Sequence, residues 1–184
     1  APDVLELFCA PVRTWFTETF AAPTPPQEQG WPAIHRGEHV LLLAPTGSGK
    51  TLAAFLCGID RIIRELTGPE RLGDARPVGR GDVQPEDRGG MEPPRGIRLV
   101  YVSPLKALNN DIERNLRVPL AGIKHVVTRV AADPGATHAA ADRPEEQPAT
   151  TPGISWPDIR TAVRSGDTPT RERRAVLAKP PHIL

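Results

Sequence analysis

Apolar positions along the chain follow two different periods, and the change between them marks the elements. The run His39 to Leu43 is apolar and short, far below a membrane span, and predicts a strand buried on both faces as in a parallel sheet. Directly after it, Leu52, Phe55, Leu56, Ile59, Ile62, Ile63 and Leu66 recur at helical spacing, so a helix opens near Gly49 and runs to about Leu66. Three helical pieces precede the first strand. Asp3 caps a short turn carrying Val4, Leu5, Leu7 and Phe8, and Pro11 starts a helix through Phe20 that places Trp15, Phe16 and Phe20 on adjoining faces. Thr24-Pro25-Pro26-Gln27 then opens a third helix to about His35, with prolines where a missing N–H does least harm.

Downstream, Ile97 to Val102 predicts a second strand. Pro104 and a helix follow, with Leu105, Leu108, Ile112 and Leu116 on one face, and then a separate helix from Pro119 to about Ala131. Ile159 to Val163 reads as a third strand, Pro169 to Ala178 as a short polar helix, and Ile183-Leu184 as the start of a fourth strand. Strands alternating with helices imply an α/β fold, a parallel sheet with right-handed crossovers. Two stretches, 67–95 and 133–157, exceed the ~12 to 15 residues normal for a loop and are rich in Pro, Gly, Ala and mixed charge. They are expected to be disordered surface insertions, and whether Ile154 and Trp156 at the end of the second dock on the core is not decided by the sequence.

Composition narrows this only a little. Of 184 residues, 39% are hydrophobic, enough for one core, whereas 22 Pro and 16 Gly put much of the chain outside regular structure. A net charge of +1 means that any surface for a polyanion must come from local placement. Cys9 and Cys57 lack metal-ligand spacing and read as buried reduced thiols of a cytoplasmic protein. The five histidines show no ligand pattern, and neither a membrane-length apolar run nor a secretion signal is present in the sequence. The chain starts at Ala1 and ends just inside an apolar run, so it is expected to be a piece of a longer protein.

The chemistry concentrates between the first strand and its helix, in Ala44-Pro45-Thr46-Gly47-Ser48-Gly49-Lys50-Thr51. Gly47 and Gly49 let the backbone turn sharply and bring N–H groups to phosphates with no Cβ in the way, and the helix N-terminus adds about half a positive charge. Thr46, Gly47, Ser48 and Gly49 would cradle the phosphates, Lys50 would reach the terminal ones, and the Thr51 hydroxyl would face a magnesium ion. The usual pattern begins with Gly where this chain has Ala44. A plain glycine-rich turn with a solvated lysine is the competing reading.

With that loop placed, the remaining segments resemble a superfamily 2 helicase of the DEAD/DEAH-box type, and within it the large helicase-related (Lhr) proteins. The matching pieces are Pro23 to Gln27 with Gly30-Trp31-Pro32, Ala44 to Leu56, Tyr101 to Asp111, and Arg164 to Pro169. The resemblance implies a RecA-like P-loop sheet flanked by helices and cut before completion, with helices over 1–38 carrying an adenine-reading glutamine and a partial ATP-binding domain over 39–184. Gln27 would read the adenine edge, although Thr24-x-x-Gln27 is also a capping box. Ser103, Pro104, Leu105 and Lys106, and Arg164, Gly166, Asp167 and Thr168, would touch a nucleic-acid strand. For both segments a plain turn before a helix is the alternative, with Thr168 as N-cap in the second.

The resemblance implies ATP and Mg as cofactors and single-stranded DNA, or a duplex with a single-stranded tail, as partner. RNA stays open as a substrate. The family's hydrolytic acids and second domain are expected beyond Leu184, in the remainder of the helicase core. Other classes consistent with the loop are a P-loop phosphotransferase on a small molecule and an inactive nucleotide-binding fragment. The sequence carries no membrane partner.

Overall fold

The computed structural model describes residues 3–68, 96–103, 108–132 and 156–184. Asp3 accepts the Leu5 N–H at 3.0 Å and caps a 3-10 turn, Val4–Leu7. The helices are α1 (Ala10–Thr19), α2 (Pro25–His35), α3 (Lys50–Thr67), α4 (Leu108–Ala132) and α5 (Thr170–Ala178). Prolines occupy the first turns of α1 and α2, where no intrahelical donor is lost.

Helix α3 is the centre of the molecule. Its apolar stripe buries Phe55, Leu56, Ile59, Ile62 and Ile63, and it packs against α2 on one flank and α4 on another. Each such side chain, fully buried, contributes about 1.5 to 3 kcal/mol. Phe8 and Phe16 set their ring edges against Trp31 at centroid distances of 4.8 and 5.4 Å, which closes the core on the α1–α2 side. Leu116, Ile123 and Val126 of α4 join the same core, and Trp156 packs on it partly buried, which the sequence left undecided, while Ile154 lies outside the described residues.

One buried acid pins the first twenty residues to α3. Asp60, 1% exposed, accepts the Cys9 N–H at 2.7 Å and pairs with Arg64 at 2.7 Å, and Arg64 donates onward to the Leu7 carbonyl at 3.2 Å. The Cys9 side chain offers α1 no cap, so a carboxylate from a different helix takes the N-terminal donor.

Extended segments meet at one place. Residues 182–184 lie between 97–102 and 159–163, with parallel bridges from Ile183 to Leu99 and to Thr161. The Leu184 N–H donates to the Leu99 carbonyl at 2.9 Å, and Ala162 N–H to that of Ile183 at 2.9 Å. Parallel direction and α/β alternation agree with the expected class, but of the four predicted strands the three that meet here reduce, among the described residues, to isolated bridges.

Two expectations and one alternative reading are corrected. The run His39 to Leu43 is not a strand buried on both faces: Leu41 and Leu43 are 82% and 85% exposed, and only Leu42 turns inward, against Gly30. No described segment bridges to it, so half of its apolar surface has nothing to pack on. The two helices expected around Pro119 are the single helix α4, which runs through that proline. Burial of Leu116 before it and of Ile123 and Val126 after it holds both halves on one core, outweighing the roughly 3 kcal/mol of an interior proline. Finally, the N-cap of α5 is Pro169 rather than Thr168. The insertions expected over 67–95 and 133–157 fall almost wholly outside the described residues, although α3 runs on through Thr67. Among the described residues no helix is long and apolar enough to cross a membrane.

Candidate nucleotide and nucleic-acid sites

The loop before α3 has the backbone its glycines predict. Gly47 and Gly49 sit at φ +80° and +82°, a region that costs a residue with a Cβ about 1 to 2 kcal/mol. Gly49 is the N-cap of α3, and Lys50 is its first residue. From there the ammonium folds back across the loop, donating to the carbonyls of Ala44 and, at 2.5 Å, Pro45, with the Ser48 hydroxyl at 3.5 Å. Thr46 and Thr51 are exposed, whereas Ser48, Gly49 and Lys50 are half-buried.

A face of α2 holds this loop from behind. Thr24 Oγ1 donates to the Ser48 carbonyl at 2.9 Å, Gln27 Nε2 to that of Gly49 at 3.4 Å, and Trp31 Nε1 to that of Ala53 at 3.1 Å. Positions 24, 27 and 31 share one side of a helix by its 3.6-residue period, so one rigid element fixes the loop and the first turn of α3 together. Gln27 is 3% exposed, and its Oε1 accepts the Thr24 N–H at 2.9 Å, so the capping box is formed. Those bonds use one N–H and one lone pair of an amide that has two of each. Gly49 is required twice over, since a Cβ there would lie 2.6 Å from Gln27 Nε2.

These residues fit a triphosphate with its divalent ion. An ammonium already gathers oxygen acceptors, nothing lies within 4 Å of where a Cβ at Gly47 would be, and a threonine hydroxyl stands exposed at the helix start. Sequence reasoning singled out Lys50 and Gln27 as candidates but gave Trp31 no role. Its signal was an indole one helical turn beyond Gln27, since a buried Trp N–H needs an acceptor.

The second group lies at the other end of the described chain. Arg164, Gly166 and Asp167 are exposed at a turn in which Ser165 N–H donates to Thr168 Oγ1 at 2.7 Å and Asp167 N–H to Ser165 Oγ at 3.2 Å. The Thr168 hydroxyl thus serves the turn rather than α5. A cleft of about 560 Å³ brings Ser103 and Arg164 to one lining, beside Phe55 and Tyr101, whose rings stack at 5.2 Å. Pro104, Leu105 and Lys106 lie outside the described residues.

Titratable groups elsewhere are shifted by burial. The Cys9 and Cys57 thiols are pushed well above their usual value, by desolvation first and the Asp60 charge second. His182 is lowered, by burial and then by Arg160 and Arg98, and its Nδ1 accepts the Arg160 N–H at 3.1 Å.

Comparison with known proteins bears on both groups. The DEAD/DEAH box helicase family matches residues 24–153. "Lhr helicase/ probable uracil glycosylase" of Mycolicibacterium smegmatis is 44% identical over 182 residues, covering 99% of this chain and 9% of that protein. "ATP-dependent helicase Lhr-Core" of Methanocaldococcus jannaschii is 38% identical over 182 residues, with 99% and 16% covered. Among solved structures, Mycobacterium smegmatis helicase Lhr bound to ssDNA and AMP-PNP superposes with a TM-score of 0.68 at 42% identity, covering 99% of this chain and 17% of that one. The chain therefore spans less than a fifth of the length of these relatives. Together with the loop geometry and the parallel bridging, these matches place the chain in the DEAD/DEAH box helicase family, among the Lhr proteins.

Proposed function

We propose that this chain is the ATP-gripping part of an ATP-dependent helicase, the beginning of its first RecA-like domain, with the helices of 1–38 on the adenine side and 39–184 contributing the phosphate loop and strand contacts. The observation that carries the reading is the Lys50 ammonium held among loop oxygens above two left-handed glycines, with α2 side chains bonded to the loop's outer carbonyls. Thr46 to Gly49 would surround the phosphates through backbone N–H groups, Lys50 would hold the terminal phosphates, and Thr51 would offer its hydroxyl to Mg. Bound magnesium supplies positive charge that stabilises the transferred phosphoryl group. Gln27 would keep its bonds to Thr24 and Gly49 and present its remaining donor and acceptor to adenine, so that base recognition and loop position share one side chain.

On the nucleic-acid side, Ser103 to Lys106 and Arg164 to Thr168 would contact the backbone of a DNA strand, without reading sequence and with marked salt sensitivity. The relative solved with ssDNA and AMP-PNP supports both ligands as classes. The test is a fluorescent ATP analogue titrated against the chain and its Lys50→Ala variant. Losing a charge-assisted bond of about 1.5 to 3 kcal/mol weakens binding by roughly ten- to over a hundredfold. Equal affinity would remove the assignment. Stimulation of ATP hydrolysis by single-stranded DNA in the full-length protein then separates a helicase from a small-molecule phosphotransferase.

A further inference from the structure

Arg173 is the fourth residue of α5, about one turn in, and its guanidinium points back into the turn before the helix. Nε donates to the Thr168 carbonyl at 2.8 Å, and Nη2 donates to that of Gly166 at 2.5 Å, with the Ser165 carbonyl at 3.5 Å. Arg171 and Arg174 on the same helix are exposed, whereas Arg173 is half-buried. One planar fork thus gathers carbonyls from both ends of a four-residue turn, a task for which a flexible ammonium has the wrong shape.

The consequence follows from peptide geometry. In a trans peptide the C=O and the next N–H point in opposite directions, so carbonyls of Ser165 and Gly166 drawn toward Arg173 aim the N–H groups of Gly166 and Asp167 the other way. The Asp167 donor is taken by Ser165 Oγ at 3.2 Å, and Gly166 is exposed. Arg164 stands exposed at the start of the same turn, on the cleft that also holds Ser103.

We propose that Arg173 is a positioning residue for strand binding: it holds the 165–168 turn in the shape that presents Arg164 and the Gly166 N–H to a nucleic-acid phosphate, without contacting the phosphate itself. The inference rests on the reading of that turn as a strand contact. Its donors point inward to carbonyls, so Arg173 makes no phosphate contact of its own and releases no counterion, whereas Arg164 contributes one phosphate's worth, about 0.7 in the slope of log K against log salt for a single strand.

The experiment is a double-mutant cycle in the full-length protein, read by fluorescence anisotropy of a single-stranded oligonucleotide across a salt series, with binding of an ATP analogue as a check on folding. Arg164→Ala weakens binding and flattens the slope by about 0.7. Arg173→Gln weakens binding and flattens the slope by no more than about 0.7, and in the Arg164→Ala background it costs less than it does alone and takes nothing further off the slope. Arg173→Lys, which keeps the charge and loses the fork, behaves like Arg173→Gln. Losses that multiply in the double variant, with a further 0.7 off the slope, or rescue by Arg173→Lys, would make Arg173 a phosphate ligand and overturn the proposal. An Arg164→Ala variant with unchanged affinity and slope would instead remove the strand-contact reading beneath it. Should Arg173→Gln fail the folding check, Arg173→Lys with and without Arg164→Ala completes the cycle.

Discussion

Alanine at Gly49 should cost far more than alanine at Gly47, although both glycines sit at nearly the same φ, +82° and +80°. At Gly47 nothing lies within 4 Å of the added methyl, so the penalty is the left-handed backbone alone, about 1 to 2 kcal/mol. At Gly49 the methyl lands 2.6 Å from Gln27 Nε2 and 3.3 Å from Thr24 Oγ1. Gln27 is 3% exposed and held at both ends of its amide, so it yields only by giving up the bond to the Gly49 carbonyl. A lost net hydrogen bond of about 1 kcal/mol and overpacking of about 1 to 3 kcal/mol then add to the backbone term. A chain of this size loses roughly 2 to 4 °C of melting temperature per kcal/mol. Thermal unfolding followed by circular dichroism would read the gap between the two variants. The added penalty at Gly49 should largely vanish in a Gln27→Ala background, where the obstructing amide is gone. Equal melting temperatures for Gly47→Ala and Gly49→Ala, or an unchanged gap without Gln27, would refute the coupling between α2 and the loop.

Asp60→Ala should destabilise the chain by about 3 kcal/mol or more, because it leaves Arg64 and the Cys9 N–H without their buried acceptor; a urea midpoint that stays in place would show that the pair is dispensable. Cys9 and Cys57 should resist a thiol reagent at mildly alkaline pH in the folded protein and react at once in denaturant, since burial and then the Asp60 charge disfavour the thiolate. Rapid labelling of either in the folded state would contradict their placement. Stability should fall with acidification: His182 and His35 are both held below the ordinary 6.5, burial being the first cause, so the unfolded chain binds protons more readily. That contribution is complete above about pH 7.5 and is lost from about 6.5 downward to the folded pKa values, so melting temperature should drop across that window. A flat profile from about pH 7.5 to 5.5 would count against it.

Local signals were legible where a residue acts through its own neighbourhood. Asp3 as a cap, the prolines opening α1 and α2, and a helix from Lys50 to Thr67 all follow from side chains within a turn of the element they shape. Elements whose state depends on distant partners were read less well. Val40 to Leu43 has the composition of a central strand, but a strand needs neighbours on both edges, and Leu41 and Leu43 stay exposed without them. Pro119 carries a break signal that the buried residues on either side of it override. In the candidate sites the same division holds. The glycines and Lys50 are spelled out by spacing, whereas Trp31 and Arg173 act on carbonyls 22 and up to 8 positions away, and no local pattern marks an acceptor in advance.

Those two long-reaching donors point to a common design. At each candidate site a loop with exposed positions is tied by its carbonyls to a helix: Ser48, Gly49 and Ala53 to Thr24, Gln27 and Trp31, and Ser165, Gly166 and Thr168 to Arg173. Binding carbonyls on one side orients peptide dipoles, and with them the N–H groups, toward the other, which is the polarity an anionic ligand needs. Orientation set by a packed helix costs nothing more when the ligand arrives, whereas a loop free to rotate would have to be ordered at that moment. The nucleotide loop extends this coupling further, because Trp31 is packed by Phe8 and Phe16 and the segment carrying Phe8 is anchored through Asp60 to α3 itself. The first residues of the chain, the loop and the helix behind it therefore form a closed circuit, so that disturbing Phe8 or Asp60 should reach the phosphate loop as well as the core.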